Sequence, residues 1–194
     1  MVGRALAKAL NLKYYDNELI ALIAKESGMP LHEVARKEGR LDSSLLYQMV
    51  MQDFSVPVDK SISSADELFI ASSRAIRKLA KEEPCIIVGR GADKILKDNP
   101  HALNVYLYSD LPHKLAFCQE HYGEDESTAL EAMHRQDRRR AEYYQQYFAE
   151  NISDPKNYEL CLNVGALGLQ RCCDIIAAVF AQLDLPKTAA QNKQ

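Results

Sequence analysis

The sequence lacks any apolar run that approaches the roughly 18 residues of a membrane span, and its first residues contain no basic leader with an apolar stretch and a cleavage site. These absences argue against a membrane protein and give no sign of export, so we expect a cytoplasmic protein with no membrane partner. The composition, with 47% hydrophobic and 26% charged residues among 194, is ordinary for a globular protein that buries a real core.

Cysteines at metal-binding spacing are also missing. The five cysteines include no CxxC pair, and Cys172 and Cys173 are adjacent in the sequence. An odd number of cysteines without metal spacing is typical of buried thiols in a reducing compartment. We therefore expect no zinc or other metal site formed by the protein.

A strong charge bias is absent as well. The net charge of −3 and the pI near 6.0 argue against a general nucleic-acid binder, although a local cationic pocket is compatible with them. Residues 19–40 superficially resemble a helix-turn-helix. The second of these helices would present Glu33 beside Arg36 and Lys37, a mixed face that partly repels phosphates. A DNA-binding regulator is therefore the least favoured function.

The stretch CIIVGRGAD at residues 85–93 organises the chain. Its uninterrupted apolar run, bounded by a proline and a glycine, predicts a strand that is buried on both faces. The glycines that follow allow a tight turn, and ligands of open α/β sheets bind at the carboxyl ends of strands. Arg90 would then meet an anionic ligand there, with Asp93 as its acidic counterpart. In the alternative, Arg90 only forms a structural ion pair with a helix carboxylate.

Helical segments alternate with short apolar strands along the chain. This alternation predicts a helix-rich, doubly wound α/β fold with a mostly parallel sheet. We expect one domain over residues 1–185, a helical subdomain within it at 27–63, and a disordered tail at 186–194. The predicted helices are 2–11, 17–25, 31–40, 43–54, 65–81, 94–97, 110–122 and 169–180. The predicted strands are 85–88, 103–108 and 158–164, and 13–16 is a short extended piece.

The most highly charged segment is 124–150, which opens acidic and becomes rich in arginine. It ends in AEYYQQYF, whose aromatic residues fall at i, i+4 spacing on a helix. One interpretation is a solvated helical arm with an aromatic stripe packed on the body of the protein. The other is a phosphate-neutralising cluster, because guanidinium groups match phosphate oxygens. The three consecutive arginines point in different directions, so they cannot all serve one ligand.

Several stretches resemble the cytidylate kinase-like family of nucleoside monophosphate kinases. These stretches are LKYYDNELI, LFIASSRAIRKLAKEEPCIIVGRGADKIL, DRRRAEYYQQYF and DPKNYELCLNVGALGLQRC, and together they cover nearly the whole chain. The resemblance implies a P-loop kinase fold, in which ATP and Mg²⁺ meet a nucleoside monophosphate and the γ-phosphate is transferred. It also implies that 27–63 lies on the acceptor side and that 124–150 is a mobile lid.

The resemblance assigns roles to individual residues. Asp16 and Arg90 would belong to the acceptor-nucleotide site, with Asp93 as a third candidate. Asp137 and Arg140 fit the D-x-x-R spacing of the lid, where Arg140 would steady the charge that develops on the transferred phosphoryl group. The resemblance suggests two further lid residues, Arg135 and Arg139.

One departure from the family pattern concerns the donor nucleotide. Members of the family have a strand and a Gly-rich phosphate loop immediately before the helix that here holds Gly3 and Arg4, the two residues expected nearest the donor. This sequence contains no GxxxxGK[ST] motif. Either the start was assigned too far downstream, or the chain has lost the loop. Since the missing strand is central in this fold, we expect a gap between the remaining strands, which a homo-oligomer would cover.

The sequence therefore leaves two leading functions. The first is a kinase that transfers the ATP γ-phosphate to CMP or a similar small phosphorylated acceptor. The second is a non-catalytic nucleotide-binding or scaffold protein that keeps the acceptor pocket.

Overall fold

The computed structural model describes residues 1–16, 18–28, 64–123 and 125–183. The chain divides into two compact units, one formed by Asn11–Leu96 and the other by Met1–Leu10 with Lys97–Gln194. The helices predicted at 31–40 and 43–54, most of the predicted subdomain at 27–63 and the predicted tail at 186–194 lie outside the described residues.

Helices outnumber strands in the described parts of the chain, and every strand is three or four residues long. The elements, in chain order, are α1 (Val2–Leu10), β1 (Lys13–Tyr15), α2 (Glu18–Ser27), α3 (Ser64–Glu82), β2 (Cys85–Ile87), α4 (Ala92–Ile95), β3 (Val105–Tyr108), α5 (Leu111–Tyr122), α6 (Glu126–Phe148), a 3₁₀ turn (Pro155–Asn157), β4 (Leu160–Asn163), α7 (Val164–Leu167) and α8 (Leu169–Phe180).

The unit Asn11–Leu96 is built on a parallel pair of strands. β1 and β2 pair in the register that places Tyr15 opposite Ile87, and the Val88 N–H extends the ladder by donating to the Tyr15 carbonyl at 2.9 Å. α2 packs against α3. Leu19 and Ile23 are one turn apart on α2 and fully buried, because residues at i and i+4 share one helix face. The core of α3 repeats at the same helical spacing, through Leu68, Ala71, Ala75, Ile76 and Leu79.

The second unit contains the other parallel pair, β3 and β4, which places Tyr108 opposite Asn163. In the same unit α1 packs against α8. Buried apolar residues on both helices form this contact, and the thiol of Cys173 donates to the Val2 carbonyl at 3.8 Å. The buried residues of the two helices are Val2, Leu6, Ala7, Cys172, Cys173 and Ile176.

Both predicted ends of the helix at 110–122 are confirmed. Asp110 caps α5 by accepting from the N–H of His113 at 3.1 Å, and Gly123 ends that helix with a left-handed φ of 67°. α6 begins after Asp125, which caps it in the same way. α2, predicted at 17–25, spans Glu18–Ser27 in the structure.

The prediction that the strand at 85–88 is buried on both faces is wrong. All of β2 is half-buried, and in β3 the side chains of Leu107 and Tyr108 are 37% and 45% exposed. Each strand described in the structure is hydrogen-bonded to one neighbour, in sheets of two strands. Cysteines on helices and strands also differ in burial. Cys172 and Cys173, on α8, are buried, whereas Cys161, on β4, is exposed.

The structure thus confirms a helix-rich α/β protein with small parallel sheets. The single doubly wound sheet and the single domain remain predictions. Among the described residues, no helix is long and apolar enough to cross a membrane.

Candidate functional site

The structure brings two of the predicted site residues together at the carboxyl ends of β1 and β2. Asp16 directly follows β1, and Arg90 lies three residues after β2. The Nη1 atom of Arg90 donates a hydrogen bond to the backbone carbonyl of Asp16 at 3.2 Å. Parallel strands end at the same edge of a sheet, and this is the edge at which open α/β sheets bind ligands.

The turn that carries Arg90 has an unusual backbone. Gly89, Arg90 and Gly91 have consecutive positive φ values of 76°, 56° and 64°. Glycine adopts this conformation without a steric penalty, whereas for arginine it costs about 1–2 kcal/mol. The N–H of Ala92 closes the turn on the Gly89 carbonyl at 3.1 Å. Strain of this kind is concentrated at functional sites, so it marks Arg90 as a candidate binding residue.

Charged atoms of this turn are withdrawn from water. The Nε and Nη2 atoms of Arg90 and the Oδ2 atom of Asp93 are buried. Asp93 lies in the first turn of α4, three residues after Arg90. Since a buried charge needs compensation, a cation and an anion in one short turn reduce the cost of keeping both there. The turn therefore offers charges of both signs beside the end of β2.

The carboxylate of Asp16 receives a hydrogen bond from a residue of β1. The hydroxyl of Tyr14 donates to Asp16 Oδ2 at 3.3 Å. Sequence reasoning did not single out Tyr14, because an aromatic residue in a short strand usually signals only packing. Alternation along the strand would have indicated the contact, since residues at i and i+2 lie on the same face.

The other face of β1 forms a separate cluster around Glu83. Glu83 Oε1 lies 2.6 Å from Lys13 Nζ and accepts from the Tyr15 hydroxyl at 3.3 Å. The hydrogen bond and charge of Glu83 raise the pKa of Lys13, while burial and then the Glu83 charge raise the pKa of Tyr15. Burial raises the pKa of the Cys85 thiol to about 11, so this thiol is protonated at neutral pH and is a poor nucleophile.

The predicted lid residues lie on α6 and are exposed, namely Arg135, Asp137, Arg139 and Arg140. Arg140 Nη1 is 3.2 Å from Asp137 Oδ1 on the next turn of the helix. Asp137 Oδ2 also lies 3.8 Å from Nζ of Lys114 on α5, a partner that no spacing in the sequence indicated. Exposed ion pairs contribute only about 0–1 kcal/mol, so these side chains can exchange partners cheaply.

The aromatic stripe predicted at the end of α6 is confirmed. The rings of Tyr143 and Tyr147 have centroids 4.9 Å apart, and those of Tyr144 and Phe148 are 5.4 Å apart. Tyr144 is buried, which anchors this end of the helix in its unit. α6 belongs to a different unit from Asp16 and Arg90, so its closure over them remains a prediction.

The residues predicted nearest the donor nucleotide lie within α1. Gly3 is half-buried and Arg4 is exposed, both in the first turn of that helix. A triphosphate cradle uses consecutive backbone N–H groups of a Gly-rich loop, and the sequence has no such motif. The residues that the structure describes therefore do not fit the phosphates of a donor nucleotide. Within the described ranges, no group of three or more histidine, cysteine or acidic residues could hold a metal ion.

The fold and the site together describe a helix-rich α/β protein with an arginine held at the ligand-binding edge of a parallel strand pair. Residues 1–166 match the model of the cytidylate kinase-like family. Because the match spans most of the chain, the protein belongs to this family, and its function is kinase-like in the broad sense.

A solved structure supports the fold. The crystal structure of an uncharacterized protein from Eubacterium ventriosum ATCC 27560 is 25% identical in sequence, with a TM-score of 0.66. The similarity covers 93% of this chain and 89% of that one. No curated protein matches the sequence.

Proposed function

We propose that this protein is a phosphotransferase that binds CMP or a similar small phosphorylated acceptor at the carboxyl ends of β1 and β2. The observation that carries this proposal is the hydrogen bond of 3.2 Å between Arg90 Nη1 and the Asp16 carbonyl. It holds a guanidinium group at the edge where an α/β sheet receives its ligand. The family membership supports the same class of reaction.

The two residues offer complementary chemistry to such an acceptor. The planar guanidinium of Arg90 matches the oxygens of a phosphate, and it is always charged. The carboxylate of Asp16 accepts hydrogen bonds, so it suits a hydroxyl or amino group of the acceptor. Asp93 contributes negative charge beside Arg90, which limits the cost of burying the guanidinium between binding events.

The arginines of α6 would serve the transfer step. Phosphoryl transfer needs little covalent help from a protein, but it needs positioning and cations around the transferred group. In our proposal Arg140 leaves Asp137 and steadies the developing charge, and the weakness of an exposed ion pair makes this exchange cheap. Arg135 and Arg139 remain candidates for the same role, on the helix face that carries Arg140 or on the adjacent face.

The donor in this proposal is ATP with Mg²⁺, which supplies the γ-phosphoryl group when bound. Apart from Arg140 at the transferred group, we assign no residue to the donor phosphates, since the described residues do not fit them. Gly3 and Arg4 stay predicted neighbours of the donor.

The test is CMP binding by calorimetry, with the full chain and two arginine variants. We expect Arg90→Met to weaken CMP binding at least tenfold, because charge-assisted hydrogen bonds are roughly twice as strong as neutral ones. The matched control is Arg74→Met, which removes an exposed arginine from α3 in the same unit. The control should bind CMP as the unaltered protein does.

Circular dichroism on each variant separates loss of binding from loss of fold. The proposal is wrong if the folded, unaltered protein does not bind CMP or any other nucleoside monophosphate. It is also wrong if Arg90→Met binds CMP with unchanged affinity. CMP binding that depends on Arg90, but without ATP consumption by the full chain, would instead support a nucleotide-binding protein without catalysis.

A further inference from the structure

The two tyrosines of β1 make equivalent hydrogen bonds on opposite faces of the strand. The Tyr14 hydroxyl donates to Asp16 Oδ2 and the Tyr15 hydroxyl donates to Glu83 Oε1, each at 3.3 Å. Successive side chains of a strand point to opposite faces, so the two hydroxyls serve different surroundings. The two tyrosines therefore allow the effect of a hydroxyl on its carboxylate partner to be compared in two surroundings.

The carboxylate on the Tyr15 side is already held by a cation. Lys13 Nζ lies 2.6 Å from Glu83 Oε1, which is a short, charge-assisted contact. This cluster sits next to the beginning of β2, at the end of the strand pair away from Arg90. The Tyr15 hydroxyl therefore adds to a structural ion pair.

The carboxylate on the Tyr14 side lies in the candidate site. Arg90 Nη1 holds the backbone carbonyl of Asp16, and the Tyr14 hydroxyl contacts one oxygen of its side chain. Asp16 is thus held at its backbone and at its side chain by two different residues. The terminal torsion of an aspartate is broad, so a hydrogen bond to one oxygen narrows the range of orientations.

We propose that Tyr14 is a positioning residue for acceptor binding. Its hydroxyl holds one oxygen of the Asp16 carboxylate and so orients this carboxylate for a hydroxyl or amino group of the acceptor. This inference rests on the proposed function, because it needs Asp16 to contact the acceptor. The gain is preorganisation. Because the Asp16 carboxylate is oriented before the ligand arrives, the cost of ordering it does not reduce the binding free energy.

The expected effect is modest. An O–H···O hydrogen bond usually spans about 2.5–3.0 Å, so the contact at 3.3 Å is long. A hydrogen bond from a neutral hydroxyl to a charged carboxylate still contributes measurably to the binding free energy. We therefore expect Tyr14→Phe to raise the Kd for CMP about three- to tenfold. Phenylalanine keeps the ring and removes only the hydroxyl.

The experiment compares Tyr14→Phe with Tyr15→Phe in the full chain. Calorimetry gives the Kd for CMP, and competition against CMP gives the Kd for sulfate, an anion with no hydrogen-bond donor. Tyr14→Phe should weaken CMP and leave sulfate unchanged, because sulfate can use Arg90 but offers nothing to Asp16. Tyr15→Phe should leave both affinities unchanged. Thermal unfolding should show similar, small losses of stability in the two variants.

Three results would overturn the inference. If Tyr14→Phe binds CMP as the unaltered protein does, the hydroxyl has no role in acceptor binding. If Tyr14→Phe weakens CMP and sulfate equally, the hydroxyl supports the turn as a whole and does not act through Asp16. If the unaltered protein itself binds no nucleoside monophosphate, the proposed function fails, and this failure is recognised before either variant is made.

Discussion

The two parallel strand pairs use the polar residues at their carboxyl ends differently. After β3 and β4, Asp110 and Asn163 turn back onto their own helices and accept backbone N–H groups of His113 and Ala166 at 3.1 Å. After β1, Arg90 donates to the backbone carbonyl of Asp16, and the Tyr14 hydroxyl donates to the Asp16 carboxylate. The polar residues at one sheet end cap helices, and we propose that Asp16 and Arg90 at the other end bind a ligand.

The backbone conformation also differs between the carboxyl ends of the two strand pairs. The exit from β2 has three consecutive left-handed residues, with Arg90 in the middle. The exits from β3 and β4 go directly into capped helices, and Asn163 itself has an extended backbone. A strained conformation at one end and relaxed caps at the other indicate that the first end is kept for something other than stability.

The largest expected effect in this comparison is at Gly165. A Cβ atom there would lie 2.5 Å from Ser109 Oγ and 2.9 Å from His113 Cγ. The serine hydroxyl can rotate away, but the histidine has to move together with the first turn of α5. We expect Gly165→Ala to lower the free energy of unfolding by about 1–3 kcal/mol, measured by denaturant unfolding.

The same variant tests whether the two ends are functionally distinct. Gly165→Ala should bind CMP with unchanged affinity, because it disturbs the end where β3 and β4 lead into helices. A large loss of CMP affinity with little change in stability would reverse the comparison. It would move the candidate site to the carboxyl ends of β3 and β4.

A smaller, pH-dependent effect is expected at Asp110. Its carboxylate accepts hydrogen bonds from the side chain and then from the backbone of His113, and these lower its pKa. A lowered pKa in the folded protein means that the ionised carboxylate adds stability above the ordinary aspartate pKa of about 3.9. That contribution is lost as the pH falls through the folded-state pKa.

The measurement compares unfolding of the unaltered protein with Asp110→Asn between about pH 3 and 7. Asparagine keeps the capping oxygen and removes the charge, so the variant isolates the ionised form. The stability advantage of the unaltered protein should be constant near neutral pH and shrink below about pH 4. A difference that is the same at all pH values would contradict the assigned cause.

Much of this architecture follows from the sequence. Apolar residues at helical spacing predicted α1, α3 and α8, and Asp110 with Gly123 predicted both ends of α5. Glycines on either side of Arg90 predicted a tight turn at the end of a strand, because glycine alone tolerates that backbone without cost. Local rules suffice wherever the determining contacts are close in sequence.

Periodicity and composition did not predict which residues meet across the chain, and only the family resemblance placed Asp16 and Arg90 in one site. Arg90 and Asp16 are 74 positions apart, and their contact follows from the parallel pairing of β1 with β2. Lys114 contacts Asp137 from another helix, and this contact likewise depends on how two elements pack and not on spacing in the sequence. The burial of the strands was overestimated because an apolar run does not reveal how many neighbours a strand will have.

The most direct test of the central claim is a titration of ¹⁵N-labelled protein with CMP, followed through backbone amide resonances. We predict saturable shifts at Gly89, Arg90 and Gly91, and little change at His113 and Ala166, whose amides are held by helix caps. Shifts confined to His113 and Ala166, with Gly89–Gly91 unmoved at saturation, would contradict the account.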